Sequence, residues 1–452
     1  MKHALYLELL LAAFALMAAP ASADETAAKA DTTKTKGALA DYVETPDQSF
    51  AWTVRRRGEI PQGTWCELTL TSQTWRDHAW KHQLFVLKPK KLRDGGRALL
   101  VIGGGNWKPE LEQPPAAGEE VPGQAAMYAA VAENTGTPLA VLLQVPHQPL
   151  HGMREDALIS HTFTQFVKTD DATWPLLLPM VKSAVAGMDA IGQFAKQEWS
   201  LDVDEFTVTG ASKRGWTTWL TAAVDRRVTA LAPAVIDTLN LPKQMPHQLA
   251  SWGKPSEQIR DYTQRGLHLL LATPRGQRLV SIVDPYSYRH LIDQPKLILL
   301  GTNDRYWPLD ALNLYWADLT GKKYVLYVPN QGHGLNDRER TLGTVTALHR
   351  QAAGELKLAD LDWKFIDEPG KLRLRVTSSE PPQRVSAWLA ESPTRDFREA
   401  RWSSQPMEAS GDGHEFVLPL PQKGLQAIFG EAVFATDRVP YFLSTNVRIV
   451  EK

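Results

Sequence analysis

Val208-Thr209-Gly210-Ala211-Ser212-Lys213-Arg214-Gly215-Trp216 sets a serine among small residues where a predicted strand, Glu205 to Thr209, gives way to a predicted helix. A serine hydroxyl is a poor nucleophile in water, so a chain that uses one must lift it onto a sharp turn and supply a base. Gly210 and Ala211 leave room for that turn, and Gly215 lets the helix pack close behind it. Gly-x-Ser-x-x-Gly differs by one position from the Gly-x-Ser-x-Gly of nucleophile elbows. The segment therefore takes its meaning from its surroundings.

Those surroundings are strands of a particular kind. Ala98 to Ile102, Leu139 to Val145, Val228 to Val235 and Lys296 to Leu300 are near-continuous apolar runs, the pattern of parallel strands covered on both faces. Tyr324 to Val328 closes the series. Trp65 to Thr71 and Gln83 to Leu87 alternate apolar and polar residues instead, as half-buried antiparallel strands do. Trp174 to Glu198 carries helical periodicity opened by Pro175. Strands alternating with helices in this order predict an α/β fold with a mainly parallel sheet.

Between Val235 and Lys296 lie about sixty residues of helical pattern, too many for an ordinary connection. Ligands of open α/β sheets bind beyond the carboxyl ends of the strands, so residues 238–294 are expected to form a helical cap there. The pattern changes again near Glu355. Leu372 to Val376, Arg384 to Leu389, Phe397 to Trp402, Glu415 to Leu418, Ala432 to Thr436 and Tyr441 to Val450 are short alternating runs separated by turn residues, the rhythm of a small β-sandwich. The expected division is 41–354 and 355–452.

Three loops at one edge of that sheet carry residues suited to acyl transfer. Gly301-Thr302-Asn303-Asp304 places a carboxylate just beyond a strand, and Pro329-Asn330-Gln331-Gly332-His333-Gly334 does the same for an imidazole. The order Ser212, Asp304, His333 is that of α/β-hydrolases, with room for one helix and one strand between acid and base. His333 would take the serine proton and return it to the leaving group, while Asp304 holds the imidazole tautomer. Gly332 and Gly334 would let the histidine loop reach the serine. Asp237, after another strand, is the rival acid.

A developing oxyanion also needs donors. The Lys213 backbone N–H is one candidate, and Gly104 or Gly105, in the Gly103-Gly104-Gly105-Asn106 loop, supplies the other. No Lys-Ser/Thr pair follows these glycines, which removes a phosphate-loop reading. Arg214 beside the serine either faces a substrate carboxylate or lies solvated at the helix start. Glu155 and Asp156 could bind a substrate amine, and Trp307 and Tyr306 next to the acid shape a pocket or pack in the core.

Composition bounds the rest. At 452 residues the chain exceeds the size of a single core, and its net charge of -1 gives no electrostatic case for nucleic acid or an anionic membrane. A small-molecule or peptide substrate is expected, with no cofactor; oligomeric state is not readable. Cys66 is the only cysteine, so no internal disulfide forms, and the 12 histidines show no metal-binding spacing. Lys2 and His3 precede the apolar run Leu9 to Ala19, and Ala21-Ser22-Ala23 has the form of a cleavage site. Residues 1–23 are thus expected to be an export signal, the run being too short to span a bilayer, and the mature protein periplasmic or secreted. Residues 24–40, rich in Ala, Thr, Lys and Asp, are expected to be a flexible leader.

Gly-Ala-Ser-Lys-Arg-Gly-Trp at 210–216, Trp-Pro-Leu-Leu-Leu-Pro-Met-Val-Lys-Ser-Ala-Val at 174–185 and Ala-Pro-Ala-Val-Ile-Asp at 232–237, together with Asn303-Asp304 and Gln-Gly-His at 331–333, resemble the PhoPQ-activated pathogenicity-related protein family. The resemblance runs from about Tyr42 into the β-rich tail. It implies an α/β-hydrolase of the serine type, with Ser212 as nucleophile and an appended immunoglobulin-like domain. It implies no substrate, because the family is named for regulation in bacterial virulence. Two readings follow: an exported serine hydrolase cleaving an ester or amide, as peptidase or carboxylesterase, or a secreted binding or signalling protein that keeps the scaffold with little turnover.

Overall fold

In the computed structural model, which describes residues 37–451, the apolar runs become the middle of a nine-stranded sheet. Its strands are β1 (Ala51–Ile60), β2 (Gly63–Trp75), β3 (His78–Pro89), β4 (Arg97–Ile102), β5 (Leu139–Leu142), β6 (Glu205–Ala211), β7 (Val228–Ala234), β8 (Lys296–Gly301) and β9 (Lys323–Val328). They lie in the order β1-β2-β3-β5-β4-β6-β7-β8-β9. The β1-β2, β2-β3 and β3-β5 pairs are antiparallel, and every pair from β5-β4 to β8-β9 is parallel. This is the α/β-hydrolase fold, with an extra strand on its antiparallel edge.

Side chains of the central strands alternate between two cores. Ala98, Leu100 and Ile102 join the core formed with the helices Leu177–Trp199 and Lys213–Val224. Leu99 and Val101 join the other, with Ala129–Thr135 and Arg338–Ala352. Because both faces are covered, these strands carry no polar alternation. Between β7 and β8 the insertion folds as short helices, chiefly Leu241–Trp252 and Pro274–Val283, above the carboxyl ends of the strands.

Several local expectations change. Strand β1 escapes sequence reading because it carries Arg55, Arg56 and Arg57 in a row. Arg55 and Arg56 pair with the fully buried Glu67 on β2, and Arg55 also reaches Glu119. A helix, Ala38–Glu44, begins inside the stretch expected to be a flexible leader, because Leu39 is fully buried in the core. Two 3-10 turns, Ala311–Leu314 and Trp316–Asp318, stand where a helix was expected between acid and base. Side-chain amides tie that segment down: Asn240 donates to the Leu314 carbonyl, and Asn313 to that of Val447. The expected export signal lies outside the described residues, among which no helix is long and apolar enough to cross a membrane.

The remaining strands are antiparallel. β10 (Leu361–Glu368), β11 (Lys371–Ser378), β12 (Arg384–Ser392), β13 (Ser403–Pro406), β14 (Glu408–Ser410), β15 (Gly413–Pro419), β16 (Leu425–Phe434), β17 (Tyr441–Ser444) and β18 (Arg448–Glu451) form two sheets. One has the order β10-β11-β15-β14; the other is β13-β12-β16-β17, with β18 also on β16. Residues 397–402, expected as a strand, form a loop instead. Their backbone groups bond to side chains of the α/β part, with Asn303 donating to the Arg398 and Ala400 carbonyls and Asn330 pairing with Trp402. Leu297 and Leu326 share one apolar core with Leu374 and Ile428, so the C-terminal sheets pack directly on the β8-β9 side.

Candidate functional site

β6 delivers Ser212 at φ 59°, ψ −127°, a conformation that costs a non-glycine residue roughly 1–3 kcal/mol and persists only where its surroundings enforce it. Here the Ser212 N–H donates to the Ala234 carbonyl at 2.8 Å, and the Ser212 carbonyl accepts from Trp216 N–H at 3.0 Å. A Cβ on Gly210 would lie 2.7 Å from the Arg214 carbonyl oxygen, and one on Gly215 would lie 2.8 Å from Ile236 and 2.9 Å from the Ala234 oxygen. Gly215 is thus the residue pressed against β7. Position 214 points elsewhere and tolerates a long side chain, which accounts for the extra residue in the motif.

β8 and β9 bring the acid and imidazole loops together. A Cβ on Gly301 would sit 2.4 Å from the Gln331 oxygen and 2.6 Å from that of Gly332, so the two loops meet backbone to backbone. Close approach was expected at Gly332 and Gly334, where a Cβ would meet only ordinary contacts at 3.5 and 3.4 Å; the demanding glycine is Gly301. Asp304 Oδ1 accepts the Tyr306 N–H at 3.0 Å, and its Oδ2 lies 2.8 Å from His333 Nδ1. A carboxylate at Nδ1 places the proton there and leaves Nε2 as the acceptor. Nε2 is buried with no hydrogen-bond partner among the described residues. The Tyr306 ring stacks on the imidazole, centroids 4.2 Å apart. Burial, reinforced by Asp156 and Asp304, pushes the Tyr306 hydroxyl up to about 12.

Asp237 does not touch this pair. It accepts the Tyr315 O–H at 2.7 Å, and burial, with Asp304 and Asp310 nearby, pushes its carboxyl up to about 7.

The glycine loop after β4 has a mixed role. Gly103 N–H donates to Leu142 O, while no hydrogen bond from the Gly104 or Gly105 N–H is found among the described residues. Gly105 has φ +121°, and a Cβ on Gly104 would lie 2.6 Å from Arg214 Nη2. Arg214, 9 % exposed, is held in a two-pronged pair with Glu155 at 2.7 and 2.8 Å and also donates to the Val145 carbonyl. Lys213 Nζ lies 3.0 Å from Glu155 and 3.2 Å from Asp156. Burial raises the Glu155 carboxyl, but Arg214 and Lys213 overcome it and hold it at about 2. Glu155 and Arg214, expected to meet substrate, are thus committed to each other. Gln148, which sequence reading missed, ties this cluster to the glycine loop: its amide donates to Glu155 at 2.6 Å and to Gly105 O at 3.0 Å.

Ser212, Lys213, His333, Asp156, Tyr306 and Trp307 line one cavity of about 90 Å³, walled mainly by apolar side chains of the insertion. Gly104, Gly105, Glu155 and Arg214 lie outside its lining. Among the described residues no cluster of three or more His, Cys, Asp or Glu side chains could hold a metal.

The sequence profile of the PhoPQ-activated pathogenicity-related protein family matches residues 39–398. The chain belongs to that family. Autocrine proliferation repressor protein A of Dictyostelium discoideum is 31% identical over 435 residues, covering 88% of this chain and 85% of that protein. Among solved structures, this PhoPQ-related chain is similar to acetyl xylan esterase 1 from Thermoanaerobacterium sp. JW/SL YS485, with TM-score 0.43 and 17% identity over 66% of this chain and 86% of that one. It is also similar to a glucuronoyl esterase from Solibacter usitatus, with TM-score 0.39 and 14% identity over 66% and 86% of the two chains.

Proposed function

We propose that this chain is an exported serine hydrolase that cleaves an ester or amide bond through an acyl-enzyme on Ser212. One observation carries the reading: a serine on a positive-φ turn and a carboxylate-bound imidazole with a free Nε2 open onto the same cavity. His333 Nε2 takes the Ser212 proton as Oγ attacks the carbonyl carbon, then gives it to the leaving group. Asp304 keeps the other nitrogen protonated and stabilises the imidazolium. In this reading the Lys213 backbone N–H, at a helix start, donates to the developing oxyanion, and the unpaired Gly104 or Gly105 N–H, on a loop outside the cavity lining, is the second donor. Water then enters by the same route and releases the acid. In this reading residues 41–354 are the catalytic domain, 355–452 a β-sandwich domain, and 1–23 a cleaved export signal.

A fluorophosphonate probe tests the assignment. Wild type is labelled and Ser212→Ala, folded by circular dichroism, is not; equal labelling of both overturns it. The name of the Dictyostelium relative, a proliferation repressor, favours a second reading, in which the scaffold represses growth by binding without turnover. That reading requires Ser212→Ala to keep full biological effect.

A further inference from the structure

The cavity beside Ser212 is walled mainly by apolar side chains and has no free charge to hold an amine. Its walls are side chains such as Phe163, Trp216, Ile236, Met245, Leu279 and Val283. The charged groups that reach it cancel in place: Asp156 takes Lys213 Nζ at 3.2 Å and the Tyr262 O–H at 3.0 Å, while Glu155 just behind takes Lys213 and Arg214. An incoming ammonium would find both carboxylates already paired. Apart from His333, the buried lining atoms without partners among the described residues are Thr238 Oγ1 and His268 Nδ1. A sugar ring seated against the apolar walls would turn several hydroxyls toward carbon, and each costs free energy when buried unbonded.

Resting on the hydrolase reading above, we infer that the substrate is an ester whose acyl portion is a small apolar group, seated under the helical insertion, while the leaving alcohol faces solvent. The apolar walls take the acyl chain, and the alcohol lies across the scissile bond from them, where His333 returns the proton. The Ser212 Oγ–acyl bond forms as the ester C–O bond breaks. The serine proton passes through His333 to the alcohol, and water then converts the acyl-enzyme to the carboxylic acid and free serine.

The full chain is assayed on p-nitrophenyl acetate, propionate and butyrate, with benzyl D-glucuronate, an ester whose acyl portion is a sugar acid, and leucyl p-nitroanilide as opposing substrates, and phosphonylation of Ser212 is followed in parallel. Each added methylene raises kcat/KM about fourfold while the cavity fills, so butyrate exceeds acetate by about fifteenfold. Val280→Trp, on the cavity wall, lowers that ratio, and Val280→Ala moves the optimum to a longer chain. A flat series, or preference for the glucuronate ester or the leucyl substrate, with Ser212 still phosphonylated, overturns the acyl assignment alone. Loss of phosphonylation and of all turnover in the wild type overturns the hydrolase reading beneath it.

Discussion

Asn303→Ala removes a polar link between the acid loop and the loop at 397–402, which Arg305 also joins through Glu399. The Asn303 amide donates to Ala400 O at 2.7 Å and Arg398 O at 3.2 Å, and its oxygen accepts the Thr302 hydroxyl at 2.7 Å. That hydroxyl oxygen accepts the Asn330 N–H at 2.9 Å, and the Asn330 side chain pairs with the Trp402 backbone at 2.8 and 3.0 Å. The loop at 397–402 thus brackets both the Asp304 and the His333 segments. Truncation loses the three Asn303 hydrogen bonds and leaves carbonyls unpaired, about 1–3 kcal/mol of stability. A shift of the acid by about 1 Å costs on the order of 10²-fold in rate, well short of the roughly 10⁴-fold from losing its carboxylate. We therefore expect kcat to fall about 10–100-fold with KM little changed, since the cavity walls come from the insertion. Ester hydrolysis and urea unfolding measure the two effects. Asn313→Ala, which cuts a similar link to Val447 away from the triad, should lose stability but not kcat. Equal kcat in both variants would refute the idea that the C-terminal loop positions the acid.

Two further outcomes separate roles within the site. Asp304→Asn should lower kcat about 10⁴-fold, whereas Asp237→Asn should leave it largely intact; the opposite ranking reassigns the acid. Asp237 matters to stability instead. Its carboxyl holds a proton to about pH 7 in the folded chain, against an ordinary value of 3.8. The folded state thus binds the proton more tightly, and stability falls as pH rises from about 4 through 7. Thermal melting across that window should flatten in Asp237→Asn. Gly104→Ala keeps the backbone N–H but drives a methyl into the pinned Arg214 guanidinium, costing about 1–3 kcal/mol. A double-mutant cycle with Arg214→Ala should show that cost relieved, and strict additivity would exclude the clash.

How much of this could be read from the chain depends on whether the determining contacts are local. The sheet was legible because strands buried on both faces must be apolar along most of their length, as Ala98 to Ile102 and Leu297 to Leu300 are. β1 was not, because its arginines are neutralised by Glu67 and Glu119 from other segments. Ser212, Asp304 and His333 each follow a strand of the parallel set, so their meeting at one edge is a consequence of topology that a sequence can express. The pairing of Arg214 with Glu155 depends on a left-handed Gly105 and the Gln148 amide, and neither carries a periodic signal. The same holds for residues 397–402. Their alternation suggests a strand, yet β13 starts only at Ser403, because Asn303 and Asn330 compete for the backbone groups a neighbouring strand would have used. A loop that gives up sheet pairing to hold the segments bearing the acid and the imidazole makes the C-terminal sheets part of the site's frame. On that argument, deleting residues 355–452 should abolish turnover even if the α/β part were kept folded.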